Sequence, residues 1–318
     1  MKKLPLGKLS TETLKEGFSV LKKIETELNK KKKNKAILSQ LSSEFYRHIP
    51  HDFGFKAMSN FILDTEAKLK EKLTLVENLG DIKIASEITK GAEDSSLNEW
   101  DAKYKKLNCN LKPLSPSSKE YKTLLKIVKM EDKGCSWASN TNYKVLDIFK
   151  VNRDGEEKRY KKKIGNRKLL WHGSTFSNWG GILSQGLRIA PPEAPACGYA
   201  FGKGIYFADV IDKSIGYTRY TMSNNIGLLA LCDVAVGKTN NCTQCDSSIN
   251  LKNLPKGTNS TLGVGQKIPS KVEKLGEADL QLGPLKKREN TKGWIYHNEF
   301  IVYDVAQANI KYLFKVKV

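Results

Sequence analysis

The sequence predicts an α+β protein in which a helical amino-terminal domain precedes a mixed β-sheet domain. Apolar residues recur three and four apart up to Leu79, small polar residues take over at Gly91-Ala92-Glu93-Asp94-Ser95-Ser96, and short β-rich runs with glycine punctuation follow Leu97. The first pattern is the buried stripe of amphipathic helices, the second a turn-prone linker, and the third a series of strands and turns. A chain of 318 residues holds two domains of the usual ~100–200 residues, with expected limits at 1–92 and 97–318.

From Thr11 to Leu28, the residues Leu14, Phe18, Leu21, Ile24 and Leu28 draw one stripe along a helix. Ile37, Leu38, Leu41 and Phe45 repeat it after the basic break Lys30-Lys31-Lys32-Lys33-Asn34-Lys35. Ile62, Leu69, Leu73, Val76 and Leu79 give a third helix that Gly80 is placed to end, with Asp81–Thr89 as a further short one. His48-Ile49-Pro50-His51-Asp52-Phe53-Gly54 reads as a connector. Strands are expected over Lys144–Lys150, Lys168–Trp171, Gly204–Ala208, Leu228–Val236, Glu299–Tyr303 and Tyr312–Val318. No period of about 20–50 residues recurs, which argues against a solenoid.

With 54 Lys+Arg against 34 Asp+Glu, the net charge of +20 favours polyanionic partners and phosphate-bearing ligands. No run approaches the roughly 18 apolar residues of a membrane helix, and the first residues lack the apolar core of a secretory signal. A soluble intracellular protein without membrane contact is expected, with its six scattered cysteines reduced. Cys242-Thr243-Gln244-Cys245 has the spacing of half a zinc site, but no second pair or histidine cluster follows, so a surface loop and no metal are expected. The runs at Lys30–Lys35, Lys161-Lys162-Lys163 and Lys286-Lys287-Arg288 could meet nucleic acid or, for the first, serve as an import signal. Such runs are more often solvated loops.

Gly198-Tyr199-Ala200-Phe201-Gly202-Lys203-Gly204 fails as a phosphate loop, having three residues between its outer and inner glycines and no Ser or Thr after the lysine. No GxGxxG opens a helix after a strand, so a Rossmann unit is excluded as well. What remains is a set of polar and aromatic groups on a glycine-rich scaffold: Trp171-His172-Gly173-Ser174, Gly186-Leu187-Arg188, Gly198-Tyr199 and Gly204-Ile205-Tyr206-Phe207-Ala208. Glycines admit a ligand close to the backbone, and aromatic rings offer flat faces for stacking.

This set resembles the poly(ADP-ribose) polymerase family. Leu169–Ser174, Gly181–Pro192, Gly202–Asp209 and Asn298-Glu299-Phe300-Ile301-Val302-Tyr303-Asp304 carry the resemblance in the catalytic half. Leu4-Pro5-Leu6-Gly7-Lys8-Leu9-Ser10 and Ile49–Gly54 are similar to the helical regulatory domain of the DNA-dependent members. The implied architecture is an all-helical regulatory domain followed by a mixed, mainly antiparallel β-sheet ADP-ribosyltransferase domain.

The resemblance implies that NAD is the substrate and that no metal takes part. His172 would bond a ribose hydroxyl on the adenosine half, Tyr206 and Tyr217 would pack on the nicotinamide, and Gly173 and Ser214 would hold its carboxamide. Ser174, Asn178 and Arg188 would line the adenosine side, Lys213 would lie beside the nicotinamide ribose, and Tyr199 joins the binding set. Nicotinamide leaves while positive charge grows on the ribose C1′, as in glycoside cleavage. Glu299 is therefore the implied catalytic carboxylate, placed on the ribose 2′-hydroxyl and stabilising charge by preorganisation, with His172 and Tyr206 as its catalytic companions. A glutamate here is the chain-elongating members' residue, so polymer synthesis on acceptor proteins, including the chain itself, is expected.

The alternatives are single ADP-ribose transfer and a non-catalytic scaffold that binds NAD or nucleic acid. The resemblance further implies nuclear work in the DNA damage response, with DNA sensed by domains absent from this chain. In the family the helical domain lies over the catalytic domain and hinders NAD entry. An earlier helix of that domain is expected to be missing here, leaving the hindrance incomplete. The Pro191-Pro192-Glu193-Ala194-Pro195-Ala196 stretch matches the loop flanking the NAD site, while the segment from about Cys242 to Lys292 matches only weakly after Leu254-Pro255-Lys256-Gly257.

Overall fold

The computed structural model describes residues 10–89, 97–128, 143–289 and 293–318. The Leu4–Leu9 part of the amino-terminal motif, the Gly91–Ser96 linker and Cys135 lie outside the described residues.

Helix α1 spans Thr11–Leu28, and Ser10 caps it by accepting a hydrogen bond from the Thr13 amide at 3.0 Å. The stripe of Leu14, Phe18, Leu21, Ile24 and Leu28 is buried, as its spacing requires. Helix α2, Lys35–His48, starts at Asn34, whose side chain accepts from the Ala36 and Ile37 amides. It buries Leu38 and Phe45 but leaves Ile37 38% exposed, at the edge of its stripe. Helix α3 runs unbroken over Glu66–Thr89. Gly80 therefore does not end it, and Asp81–Thr89 is not a separate helix. A mid-helix glycine costs about 1 kcal/mol, which the burial of Val76 and Leu79, at roughly 1.5–3 kcal/mol each, outweighs.

The carboxy-terminal part contains α4 (Glu99–Lys105), β1 (Cys109–Pro113), α5 (Lys119–Val128), β2 (Lys144–Arg153), α6 (Glu156–Arg159) and β3 (Arg167–Gly173). It continues with α7 (Trp179–Gln185), β4 (Ile205–Phe207), α8 (Ile211–Ile215), β5 (Ile226–Ala235), β6 (Thr239–Cys242) and β7 (Ser260–Gly263). The chain closes with β8 (Gly265–Leu275), β9 (Ala278–Lys287), β10 (Ile295–His297), β11 (Glu299–Val302) and β12 (Ala308–Lys317). One sheet has the order β1-β2-β12-β5-β3-β9-β8-β10 and the other β4-β11-β7-β6. Among the described pairings, β10–β8, β3–β9 and β6–β7 are parallel and the rest antiparallel.

The two sheets enclose a core in which Leu170, Ala230, Cys232 and Val234 meet Ile205, Phe207, Phe300 and Val302, closed by Trp179, Ile182 and Leu183 of α7. Helix α5 covers the other face of the large sheet, packing Tyr121, Leu124 and Ile127 on Leu169, Trp171, Leu231 and Phe314. With both faces covered, β5 reads as a nearly continuous apolar run, interrupted by Asp233, which pairs with Arg167. The strands between Thr239 and His297 escape the sequence reading because β8 and β9 face solvent along much of their length and carry lysines, two prolines and glycines among their apolar residues.

The helices have their own core, and Ala194 from the carboxy-terminal part is wholly buried in it, with Ala190, Cys197 and Tyr199 packed around. Among the described residues, no helix is long and apolar enough to cross a membrane. The described cysteines are free, Cys242 half-buried and Cys245 exposed.

Candidate active site

A backbone bridge between Trp171 and Ala208 links the two sheets beside the site. The Trp171 amide donates to the Ala208 carbonyl at 2.7 Å and the Ala208 amide donates back at 3.0 Å. This bridge sets the end of β3 beside β4, so His172 Nδ1 lies 2.9 Å from the Tyr206 carbonyl oxygen. A carbonyl can only accept, so Nδ1 carries the proton and Nε2 is left as an acceptor. Burial pushes the His172 pKa down, which favours that neutral tautomer.

Tyr206 is fixed by its hydroxyl, which donates to the Gly202 carbonyl at 2.8 Å and accepts from the Phe201 amide at 2.9 Å. Its pKa is raised, chiefly by burial. With the hydroxyl engaged in its own loop, the ring is what Tyr206 has to offer a ligand. The Tyr199 ring stands 6.2 Å from it, tilted by 36°. Tyr217 lies just beyond α8 and is 62% exposed.

Gly173 ends β3 hard against α8. A Cβ there would stand 2.0 Å from the Ser214 carbonyl oxygen, so only glycine lets these backbones meet. The buried Ser214 is thereby held next to Gly173. Lys213, one residue earlier on α8, pairs through Nζ with Glu299 Oε1 at 2.9 Å and donates to the His297 carbonyl at 3.1 Å. Burial lowers the Lys213 pKa, against the raising effect of Glu299. Glu299 opens β11, whose antiparallel pairing sets Phe300 against Phe207 and Ile301 against Tyr206. Glu299 Oε2 is buried with no hydrogen-bond partner in the protein, an acceptor left open for a ligand donor.

The remaining expected site residues lie where the helical domain touches the sheet domain. Ser174 Oγ accepts from Asn178 Nδ2 at 3.0 Å, and Asn178 Nδ2 also reaches Asn78 Oδ1 of α3 at 3.3 Å. Arg188 is ion-paired to Asp81, one turn further along α3. The Tyr199 hydroxyl donates to Glu77 of the same helix, whose pKa burial raises. Helix α1 grips the adjoining loop: Lys22 Nζ donates to the Pro192 carbonyl at 2.8 Å, and Glu25 accepts from the Cys197 amide at 2.6 Å.

Sequence reasoning passed over Glu77, Asn78 and Asp81, although their i, i+1, i+4 spacing marks one polar face of α3. It also gave Lys203 no role once the phosphate-loop reading failed. Its Nζ donates to the Pro191 carbonyl at 3.0 Å, to that of Pro192 at 3.1 Å and to that of Ala194, pinning the loop beside the site. Among the described residues no cluster of His, Cys, Asp or Glu is arranged to hold a metal ion.

A buried carboxylate with one open oxygen, a neutral histidine and a glycine pressed on a serine, all at the junction of two sheets, define a site that could bind a sugar and a planar amide. The poly(ADP-ribose) polymerase catalytic domain matches residues 118–318, and the poly(ADP-ribose) polymerase regulatory domain matches residues 1–104. The chain belongs to the poly(ADP-ribose) polymerase family. It is 47% identical over 322 residues to poly [ADP-ribose] polymerase 2-A of Oryza sativa subsp. japonica, covering 99% of this chain and 47% of that protein. It is 40% identical over 321 residues to poly [ADP-ribose] polymerase 2 of Homo sapiens, covering 99% and 54%. Against poly [ADP-ribose] polymerase 1 of Xenopus laevis the identity is 39% over 330 residues, covering 100% and 32%. The chain spans about half the length of the rice and human type 2 relatives.

Proposed function

We propose that this chain is an NAD-dependent poly(ADP-ribosyl)transferase, a regulatory helical domain joined near the Gly91–Ser96 linker to a catalytic domain. The observation that carries the reading is Glu299: its Oε1 is anchored by Lys213 while Oε2 stays buried and open. In that position Glu299 accepts from the 2′-hydroxyl of the nicotinamide ribose and opposes the positive charge that develops as the nicotinamide bond breaks. The open oxygen also takes the proton of the incoming acceptor hydroxyl.

The other residues bind and orient. His172 Nε2 accepts from a ribose hydroxyl of the adenosine half, as its neutral tautomer allows. Gly173 and Ser214 hold the carboxamide, with Tyr206 and Tyr217 stacking on the nicotinamide ring. Ser174, Asn178, Arg188 and Tyr199 receive the adenosine side, and Lys213 fixes Glu299 beside the ribose. NAD enters as a substrate, and nothing in these steps needs a metal.

Acceptors on this reading are proteins, the chain itself among them, and the polymer end. The net charge of +20 suits nuclear work near nucleic acid in the DNA damage response, with DNA contacted through domains absent from this chain. The test is labelled NAD with and without broken DNA, resolved on a gel. A high-mass smear that Glu299→Gln shortens to single additions supports polymer synthesis. A sharp band in the wild type supports single transfer instead. Salt-sensitive DNA binding with neither nicotinamide nor modified protein supports the scaffold reading.

A further inference from the structure

We propose that Asp209, acting through Asn298 and Arg288, is a positioning residue that aims Glu299; this rests on the transferase reading above. Asp209 follows β4 and Asn298 precedes β11. Phe207 pairs with Phe300 and Tyr206 with Ile301, so the same register continued by two residues sets Asp209 opposite Asn298. Their side chains close the gap, with Asn298 Nδ2 donating to Asp209 Oδ2 at 2.6 Å. Asn298 Oδ1 accepts from the Gly265 amide at 3.0 Å and from Arg288 Nη2 at 2.9 Å. Arg288 Nε in turn donates to the Gly265 carbonyl at 3.1 Å.

The backbone is as constrained as the side chains. A Cβ on Gly265 would stand 2.4 Å from the Asn298 nitrogen and 2.4 Å from the His297 carbonyl carbon, so β8 meets the β10–β11 junction backbone to backbone. Residues 297, 298 and 299 are then each tied separately: the His297 carbonyl and the Glu299 carboxylate to Lys213, and the Asn298 side chain to Asp209, Arg288 and Gly265. Displacing Asn298 moves Glu299, because they are consecutive on one short strand entry.

Joining β4 to β11 does not by itself need a carboxylate. Asp209 is 3% exposed and Asn298 4%, and Asp209 Oδ1 is buried with no partner. Burial pushes the Asp209 pKa up to about 6, which the hydrogen bonds from Asn298 and from the Asp209 backbone, and then the charges of Lys213 and Arg288, only partly oppose. An amide or a well-packed apolar pair would spare the fold that cost. A buried, half-satisfied carboxylate two bonded groups from the catalytic one is the pattern of a site held for function.

The test is steady-state nicotinamide release from NAD by the whole chain, comparing wild type with Asp209→Ala, Asp209→Asn, Asn298→Ala and Arg288→Met. Both alanine variants should lower kcat about tenfold or more, as expected when a reacting group is misplaced. KM for NAD should stay within about threefold, because His172, Gly173 and Ser214 are untouched. Asp209→Asn keeps an acceptor for Asn298 and should recover at least about a third of wild-type kcat. Arg288→Met, at the rim, should lower kcat severalfold and decides the matter if the alanine variants do not fold. A kcat within about twofold of an active wild type in Asp209→Ala or Arg288→Met, or a loss confined to KM, overturns the positioning role while leaving the transferase reading intact. A wild type that releases no nicotinamide removes that reading, and the positioning role with it.

Discussion

Glu299 and Lys213 are tethered by groups of their own sheet domain, whereas Tyr199, Asn178 and Arg188 are tethered by Glu77, Asn78 and Asp81 of the helical domain. On the ribose side the polar groups already face one another as the chemistry requires, so a ligand adds to an existing arrangement. On the side proposed for adenosine, Tyr199, Asn178 and Arg188 each have a partner on α3 that a ligand must displace. On the proposed function, the chemistry then rests on contacts within the sheet domain, while access to the adenosine side rests on contacts that the helical domain supplies.

Among variants that leave Glu299 in place, the largest effect should come from breaking the ribose side sterically. Gly173→Ala forces a Cβ into the Ser214 carbonyl, at about 1–3 kcal/mol of strain. We expect kcat/KM for NAD to fall by roughly tenfold to a hundredfold in a protein whose helical core melts normally by circular dichroism.

The rigidity of that side also carries a cost that can be measured. Burial pushes the Asp209 pKa up to about 6 in the folded protein, from an ordinary 3.8. The folded state therefore binds the extra proton between these values, and the relative stability present below about 3.8 is lost as pH rises through about 6. Asp209→Asn is expected to be more stable than wild type at neutral pH, by up to on the order of 3 kcal/mol. The gain should shrink as pH falls from 6 towards 4 in denaturant melts. An unchanged difference across that range would mean that the charge is not what costs stability.

A smaller effect of opposite sign is expected on the adenosine side. Asp81→Ala frees Arg188 from α3, and a partly exposed ion pair of this kind is worth about 0.5–1 kcal/mol. KM for NAD should therefore fall roughly twofold to fivefold with kcat unchanged. A rise in KM would show that Asp81 holds Arg188 ready for the ligand rather than away from it.

The smallest effect is the pH response of His172. Burial lowers its pKa below the ordinary 6.5, so Nε2 is still an acceptor at pH 6.5 and is protonated only at a lower pH. KM for NAD should be flat from neutral pH down to 6.5 and rise only beneath. The same depression means that stability linked to His172 is present above 6.5 and declines as pH falls below it.

How legible these features are in the sequence follows the range of the interactions involved. The α1 stripe is legible because Leu14, Phe18, Leu21, Ile24 and Leu28 need only one helix to line up. Gly80 misleads because what carries α3 past it is tertiary burial, invisible to a local stop signal. The strands between Thr239 and His297 are obscured by solvent-facing lysines. His172, Gly173, Tyr206 and Glu299 stand out only as members of ordered motifs, since each alone reads as a surface histidine, a turn, a core aromatic or a strand-end charge. Arg288 reads as the end of a basic run, yet it turns inward to Asn298. Asp81 and Arg188 are 107 positions apart, and neither sequence neighbourhood announces the other.

The central claim is that Glu299 bears the chemistry while the groups around it bind and aim. Its most direct test is the single-turnover rate of nicotinamide release at saturating NAD, compared between wild type and Glu299→Gln. The account predicts a fall of about a hundredfold or more with NAD affinity within about threefold of wild type. Equal release rates in the two proteins would contradict it.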